Sequence, residues 1–139
     1  MNAAKSLYDE PSGQAKHTIL VVEDVVLVRL VVSEQLRQAG FEVIEATTAD
    51  EAIRLLGAAL HIDLVFSDIH LTGSSLDGFG LTRWIAEKRP EVKVLLTSGQ
   101  VPSPGPGGEE LLVKPYRYPE LIQRLRVLLQ LPPDGDQAG

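Results

Sequence analysis

Five polar positions stand where short apolar runs end. Glu23 and Asp24 follow His17–Val22, Asp68 follows Ile62–Ser67, Ser98 follows Val92–Thr97, and Lys114 follows Leu111–Val113. Three carboxylates, a hydroxyl and an ammonium are the groups that would surround a phosphoryl group. Carboxylates brought together repel one another, and burial sharpens the repulsion. They persist in company when a cation neutralises them. Hard oxygen donors with a partly open shell suit Mg²⁺, which keeps several waters and accepts substrate phosphate. Lys114 would add a point charge and Ser98 a hydroxyl around one nucleophilic carboxylate oxygen.

Taken singly, each position has a plainer explanation. Glu23–Asp24 fits a helix N-terminus with favourable first-turn charge. Asp68 fits an Asx turn ahead of Gly73–Ser74–Ser75. Ser98–Gly99 fits a turn, and Lys114–Pro115 a surface loop. Their coincidence at four run ends is what favours a site. His17 and His61 are expected at strand starts, Trp84 partly buried on a helix, and Asp77–Gly78 at a turn that opens a helix.

Gathering these residues requires particular elements. Runs that are apolar on both faces predict strands covered by helices on both sides, the signature of a parallel sheet. The runs are 17–22, 41–46, 62–67, 92–97 and 111–113. Helical periodicity fills the gaps. Over 25–39, Val28, Val31, Val32, Leu36 and Ala39 share one face, with Gly40 as the stop. The β-branched run within it would also suit a strand. Thr48-x-x-Glu51 is a capping box opening a helix through Ala59. A third helix spans 79–89, and Leu121, Leu125, Leu128 and Leu129 mark a last one. Right-handed βα units then give an α/β, doubly wound, five-stranded parallel sheet, and in the flavodoxin-like order 2-1-3-4-5 the first and third strands are neighbours at its centre. Its ligand site lies outside the carboxyl ends of the strands. One helix is missing. Between the fourth and fifth strands stand Pro102, Pro104 and Pro106 among four glycines. That composition is incompatible with a regular helix and predicts a loop.

Composition narrows the function classes. The 139 residues suit one domain. We expect tails at 1–16 and 132–139 around a domain at 17–131. There are no cysteines, which removes disulfides and thiolate chemistry. The net charge of −6 gives no overall basic footprint for nucleic acid. No stretch approaches the ~18 apolar residues of a membrane span. The N-terminus has no apolar secretory core, so a cytoplasmic location is expected.

The motifs VVED (21–24), SDIH (67–70), DG (77–78), TSG (97–99) and KPY (114–116) together resemble the receiver domains of two-component response regulators, the CheY-like superfamily. The resemblance covers Thr18 to Leu129 and points to short receivers of alphaproteobacterial type. It implies that Asp68 is the phosphoacceptor attacking a phosphohistidine, with Ser98 and Lys114 completing the catalytic set. It implies Mg²⁺ bound by Asp24 and Asp68, by the backbone carbonyl of His70, and by Glu23 through water. Ser98 and Leu111 take the switch positions, and Lys114–Pro115 is often cis in such domains. The implied partners are a sensor histidine kinase or histidine phosphotransfer protein and a downstream target; a homodimer is allowed.

Three departures from the family pattern stand out. Thr72 replaces the usual proline, Leu111 replaces the usual aromatic switch residue, and the fourth helix is a Pro/Gly loop. The last two predict that the signal moves through ordering of Val101–Gly108. Apolar Val26, Leu27 and Leu30 are expected on the outward face of the first helix as a partner-docking patch. Other readings are a degenerate receiver that only binds, and an Asp-nucleophile phosphatase. The phosphatase would need a second carboxylic acid where His70 stands. No Gly-rich loop follows the first strand to support a nucleotide-binding role.

Overall fold

The computed structural model describes residues 16–58 and 60–132. Both expected tails lie essentially outside these residues. Five strands, β1 (Thr18–Val22), β2 (Glu42–Ala46), β3 (Leu64–Asp68), β4 (Lys93–Ser98) and β5 (Leu111–Val113), pair in parallel in the order β2-β1-β3-β4-β5. Among the described residues four helices cover the sheet: α1 (Val26–Gln38), α2 (Ala49–Gly57), α3 (Gly78–Lys88) and α4 (Tyr118–Leu128). The architecture is that expected from the run pattern, with no helix among residues 99–110. The site strands run slightly further than the apolar pattern indicated, so Asp68 and Ser98 are the last strand residues. His17 and Ile62 fall just outside strands.

Strand alternation divides the core between the two faces of the sheet. Ile19 and Val21 of β1 pack with Val32, Leu36, Leu121 and Leu125 under α1 and α4. Leu20 and Val22 pack with Ala49, Ala52, Leu56, Leu81 and Ile85 under α2 and α3. Fully burying a leucine contributes about 2 kcal/mol. Leu20, Leu36, Leu64, Leu95 and Leu125 are completely inaccessible, so the centre of the sheet is the rigid platform for its polar ends.

Helix ends follow local chemistry. Phe41 N–H donates to the Leu36 carbonyl and Gly40 N–H to that of Arg37, with Gly40 at φ +100°. This Schellman stop needs a left-handed residue, which glycine supplies. The Thr48 hydroxyl accepts from Glu51 N–H, while the Glu51 carboxylate reaches back to Thr47 N–H. The capping box is therefore present, shifted by one residue on its return bond. Asp77 caps α3 by accepting from Gly80 N–H at 2.8 Å.

One expectation about α1 is corrected. The apolar periodicity of α1 places Val28 and Val31 on the core face, yet both are exposed, as are Val25, Val26, Leu27 and Leu30. The buried stripe runs instead through Val32, Ser33 and Leu36, with the Arg29 side chain only 13% accessible. A polar side chain turned inward rotates the helix away from the face its valines suggest.

Candidate functional site

The carboxyl ends of β1, β3, β4 and β5 meet at one edge of the sheet, and the polar run ends are there. Asp68 closes β3 and is 9% exposed. Lys114 Nζ lies 2.6 Å from Asp68 Oδ2, and His70 N–H donates to Oδ1 at 3.2 Å. The first is a short charge-assisted bond. One carboxylate oxygen is thus charge-paired, and the other accepts a single longer bond. A loop over 69–77 leads from Asp68 to α3, and its far end returns onto its start, where Gly78 N–H donates to the Ile69 carbonyl at 2.8 Å. A Cβ on Gly78 would stand 2.8 Å from both the Asp68 carbonyl oxygen and the Ile69 Cα, so only glycine allows this approach. The Lys114–Pro115 peptide is cis. Behind it Tyr116 is held edge-on against Phe66 and Tyr118.

Glu23 and Asp24 prolong β1. Glu23 N–H donates to the Ala46 carbonyl at 3.0 Å, continuing the β1–β2 ladder. The Glu23 carboxylate accepts from Val25 N–H and so satisfies the start of α1, which has no side-chain cap of its own. Burial pushes its carboxyl up to about 7, the Val25 bond opposes this, and Asp24 and Asp68 add to it. Asp24 goes the other way. Its slight burial raises the carboxyl, but bonds from Thr72 and Glu23 outweigh that and hold it below the usual range. Thr72 N–H donates to Asp24 Oδ2 at 3.1 Å. A proline at this position would have no N–H to give. The departure at Thr72 thus supplies a tether between the acid turn and the β3–α3 loop, which the sequence reading did not anticipate.

Among the described residues, no three acidic or histidine side chains are packed closely enough to hold an ion by themselves. A cation here would take part of its shell from backbone oxygen and water, the habit of Mg²⁺. The donor set fits: all hard oxygens, with a buried carboxylate at Glu23 that resists ionisation while unneutralised.

This imbalance predicts a pH dependence in chelator-treated protein. Glu23's folded pKa of about 7 lies above its ordinary 4.5. The folded state therefore holds the proton more tightly, and stability is lost as pH rises between these values. Glu23→Gln should raise the metal-free melting temperature at pH 8, leave it nearly unchanged at pH 4.5, and reduce the slope between. Parallel melting curves for variant and wild type would contradict this.

Ser98 is buried and its hydroxyl accepts from Gln100 and Val101 N–H at 3.1 and 3.4 Å, so it is tied to the Pro/Gly loop rather than to Asp68. Lys114 N–H donates to the Ser98 carbonyl at 2.8 Å. Leu111 is fully buried with Ile69 and Leu96, packed by Phe79 and Val101. Leu111 is a core residue, with the loop lying over it. His70 is exposed and contributes its backbone to Asp68. His61, also exposed, pairs with Asp63 far from the site. Val26, Leu27 and Leu30 are 57%, 70% and 49% exposed, and Val28 alone of the exposed α1 residues lines a groove with Lys114, Pro115, Tyr116 and Tyr118.

A family model described as the response regulator receiver domain matches residues 19–126. The nitrogen assimilation regulatory protein NtrX of Azorhizobium caulinodans is 33% identical over 112 residues, covering 76% of this chain and 24% of that protein. A probable transcriptional regulator, ycf27 of Cyanophora paradoxa, is 28% identical over 120 residues, covering 83% of this chain and 49% of its own length. The chain thus spans about half or less of these relatives. Among solved structures, the NtrX receiver domain from Brucella abortus superposes with a TM-score of 0.71 at 33% identity, covering 81% of this chain and 98% of that one. A response regulator receiver protein from Sinorhizobium medicae gives 0.75 at 28% identity, covering 83% and 95%.

Proposed function

The chain belongs to the response regulator receiver family of two-component signalling, and we propose that it takes a phosphoryl group from a phosphohistidine onto Asp68. The observation that carries this reading is the Asp68–Lys114 pair, 2.6 Å apart, with buried Glu23 and partly exposed Asp24 at the neighbouring strand end. An Asp68 oxygen forms the new O–P bond as the N–P bond of the donor histidine breaks, and the imidazole keeps the electron pair. Lys114 then turns its charge from the free carboxylate to the phosphoryl oxygens. Asp24, Asp68 and the His70 carbonyl would hold Mg²⁺, with Glu23 reached through water. When bound, the metal supplies positive charge to the phosphoryl oxygens. Asp24 is kept ionised and oriented by Thr72. The protein catalyses only its own phosphorylation and dephosphorylation.

Two alternatives carry less weight. A binding-only role leaves the Lys114–Asp68 pair without a purpose. A phosphatase would need an acid at position 70, and His70 offers Asp68 its backbone N–H.

The output runs through the Val101–Gly108 loop. Ser98 is already bonded to the start of that loop, so movement of its hydroxyl toward a phosphoryl group must move Gln100 and Val101. The donor docks on α1, whose exposed Val26, Leu27 and Leu30 flank the same end of the sheet. We place the protein in the cytoplasm, with a histidine kinase or phosphotransfer protein as donor and a protein as target. Among the described residues, no helix is long and apolar enough to cross a membrane.

Docking and chemistry separate in one experiment. Leu30→Glu should slow transfer from a phosphohistidine protein about tenfold, the cost of ~1.4 kcal/mol at a contact centre. Labelling by acetyl phosphate with Mg²⁺ should stay within twofold of wild type. Equal slowing with both donors would place the defect in the fold, and no slowing with either would remove α1 from the docking surface.

A further inference from the structure

Arg29 projects from the first turn of α1 between two exposed apolar neighbours, yet its own side chain is nearly buried. Nη1 donates to the Glu23 backbone carbonyl at 2.9 Å. Nε donates to Glu45 Oε1 on β2 at 3.1 Å. The other Glu45 oxygen accepts from Arg37 Nη2 at 3.2 Å, and Arg37 is the more exposed of the two arginines. Glu23 is therefore fixed through both of its peptide groups, by Ala46 at N–H and by Arg29 at C=O. The guanidinium suits this task because it is planar, always charged, and offers donors in two fixed directions.

We infer that Arg29, anchored by Glu45, is a positioning residue for the acid turn: it sets where the Glu23 and Asp24 carboxylates stand relative to Asp68. This rests on the receiver reading above. Groups that orient metal ligands without touching the metal typically change affinity about ten- to a hundredfold when lost. The sign of the effect is distinctive. Arg29 is a cation close to a cation site, so removing its charge alone would strengthen Mg²⁺ binding. Removing a positioning bond weakens it.

The test is Mg²⁺ titration of the full chain, read from amide chemical shifts, with melting temperature recorded for every protein. Arg29→Met should weaken Mg²⁺ binding about tenfold, and Arg29→Lys, which keeps the charge but loses the fork, should fall between it and wild type. Arg37→Met removes the second Glu45 partner without touching Glu23, and should leave affinity within twofold. Unchanged or tighter binding in folded Arg29→Met and Arg29→Lys would overturn the inference. So would equal weakening in Arg37→Met, which would trace the effect to α1–β2 packing. If wild type itself binds no Mg²⁺ and takes no phosphoryl group, the receiver reading fails and the inference falls with it.

Discussion

Replacing Lys114 by methionine is expected to slow phosphorylation of Asp68 by a small phosphodonor about a hundredfold, the scale on which losing one preorganised donor to developing charge acts. Methionine keeps the length and apolar stem of lysine and removes the charge. The nucleophile survives, so slow labelling should persist and should still depend on Mg²⁺. Two further consequences follow from the 2.6 Å pairing. Asp68 would be left with the His70 N–H as its remaining partner, and a largely buried carboxylate without its counter-ion is destabilising. A lower melting temperature is therefore expected, and Asp68→Asn in the same background should restore part of it. Second, beryllofluoride, which imitates the phosphoryl group on an aspartate, should slow hydrogen exchange over 99–110 in wild type and less so in Lys114→Met. Lys114 N–H bonds the Ser98 carbonyl while Ser98 Oγ holds Gln100 and Val101, so the lysine and the loop share one anchor. Wild-type labelling rates in Lys114→Met would remove the lysine from the chemistry. Identical exchange with and without the mimic in wild type would remove the loop from the output.

The five strands and the four helices were legible because their signals are local and redundant, whereas the order of the strands followed from the doubly wound fold type. β1, β3 and β4 are apolar on both faces, and Gly40, Thr48 and Asp77 announce helix ends by chemistry that needs no tertiary partner. The missing helix was equally plain, since Pro102, Pro104 and Pro106 forbid it. The orientation of α1 was not legible. Residues 25–32 read VVLVRLVV, apolar at every position but Arg29. A pattern so uniformly apolar does not select a face. The face is chosen by Arg29, whose partners are a backbone carbonyl and a glutamate 16 residues away. The same reasoning covers Thr72. Its departure from the family pattern was visible, but its N–H reaches Asp24 across 48 residues of sequence. The Asp68–Lys114 pair, 46 residues apart, was anticipated because each residue marks its own strand end and the sheet order makes those ends converge.

Leu111 shows how a substitution can change a device without breaking the site. A fully buried leucine beneath the Pro/Gly loop has no polar tip to exchange between buried and exposed positions. What can still move is the loop above it, held to the site through Ser98. Under the proposed function, Ser98 and Lys114 couple phosphoryl chemistry to this loop, whereas a substitution confined to Val101–Gly108 should impair output while sparing labelling of Asp68.

The phosphoacceptor assignment is tested most directly by intact mass. Wild type and Asp68→Asn are each incubated with acetyl phosphate, with Mg²⁺ and with excess chelator. Asparagine keeps the shape of the side chain but has a single acceptor oxygen, so it can accept from His70 N–H or from Lys114 but not from both, and it lacks the nucleophilic oxygen anion. Wild type should gain one phosphoryl mass in Mg²⁺ and essentially none in chelator, and Asp68→Asn should gain none in either. A full phosphoryl mass on Asp68→Asn in Mg²⁺ would contradict the central claim that Asp68 is the acceptor.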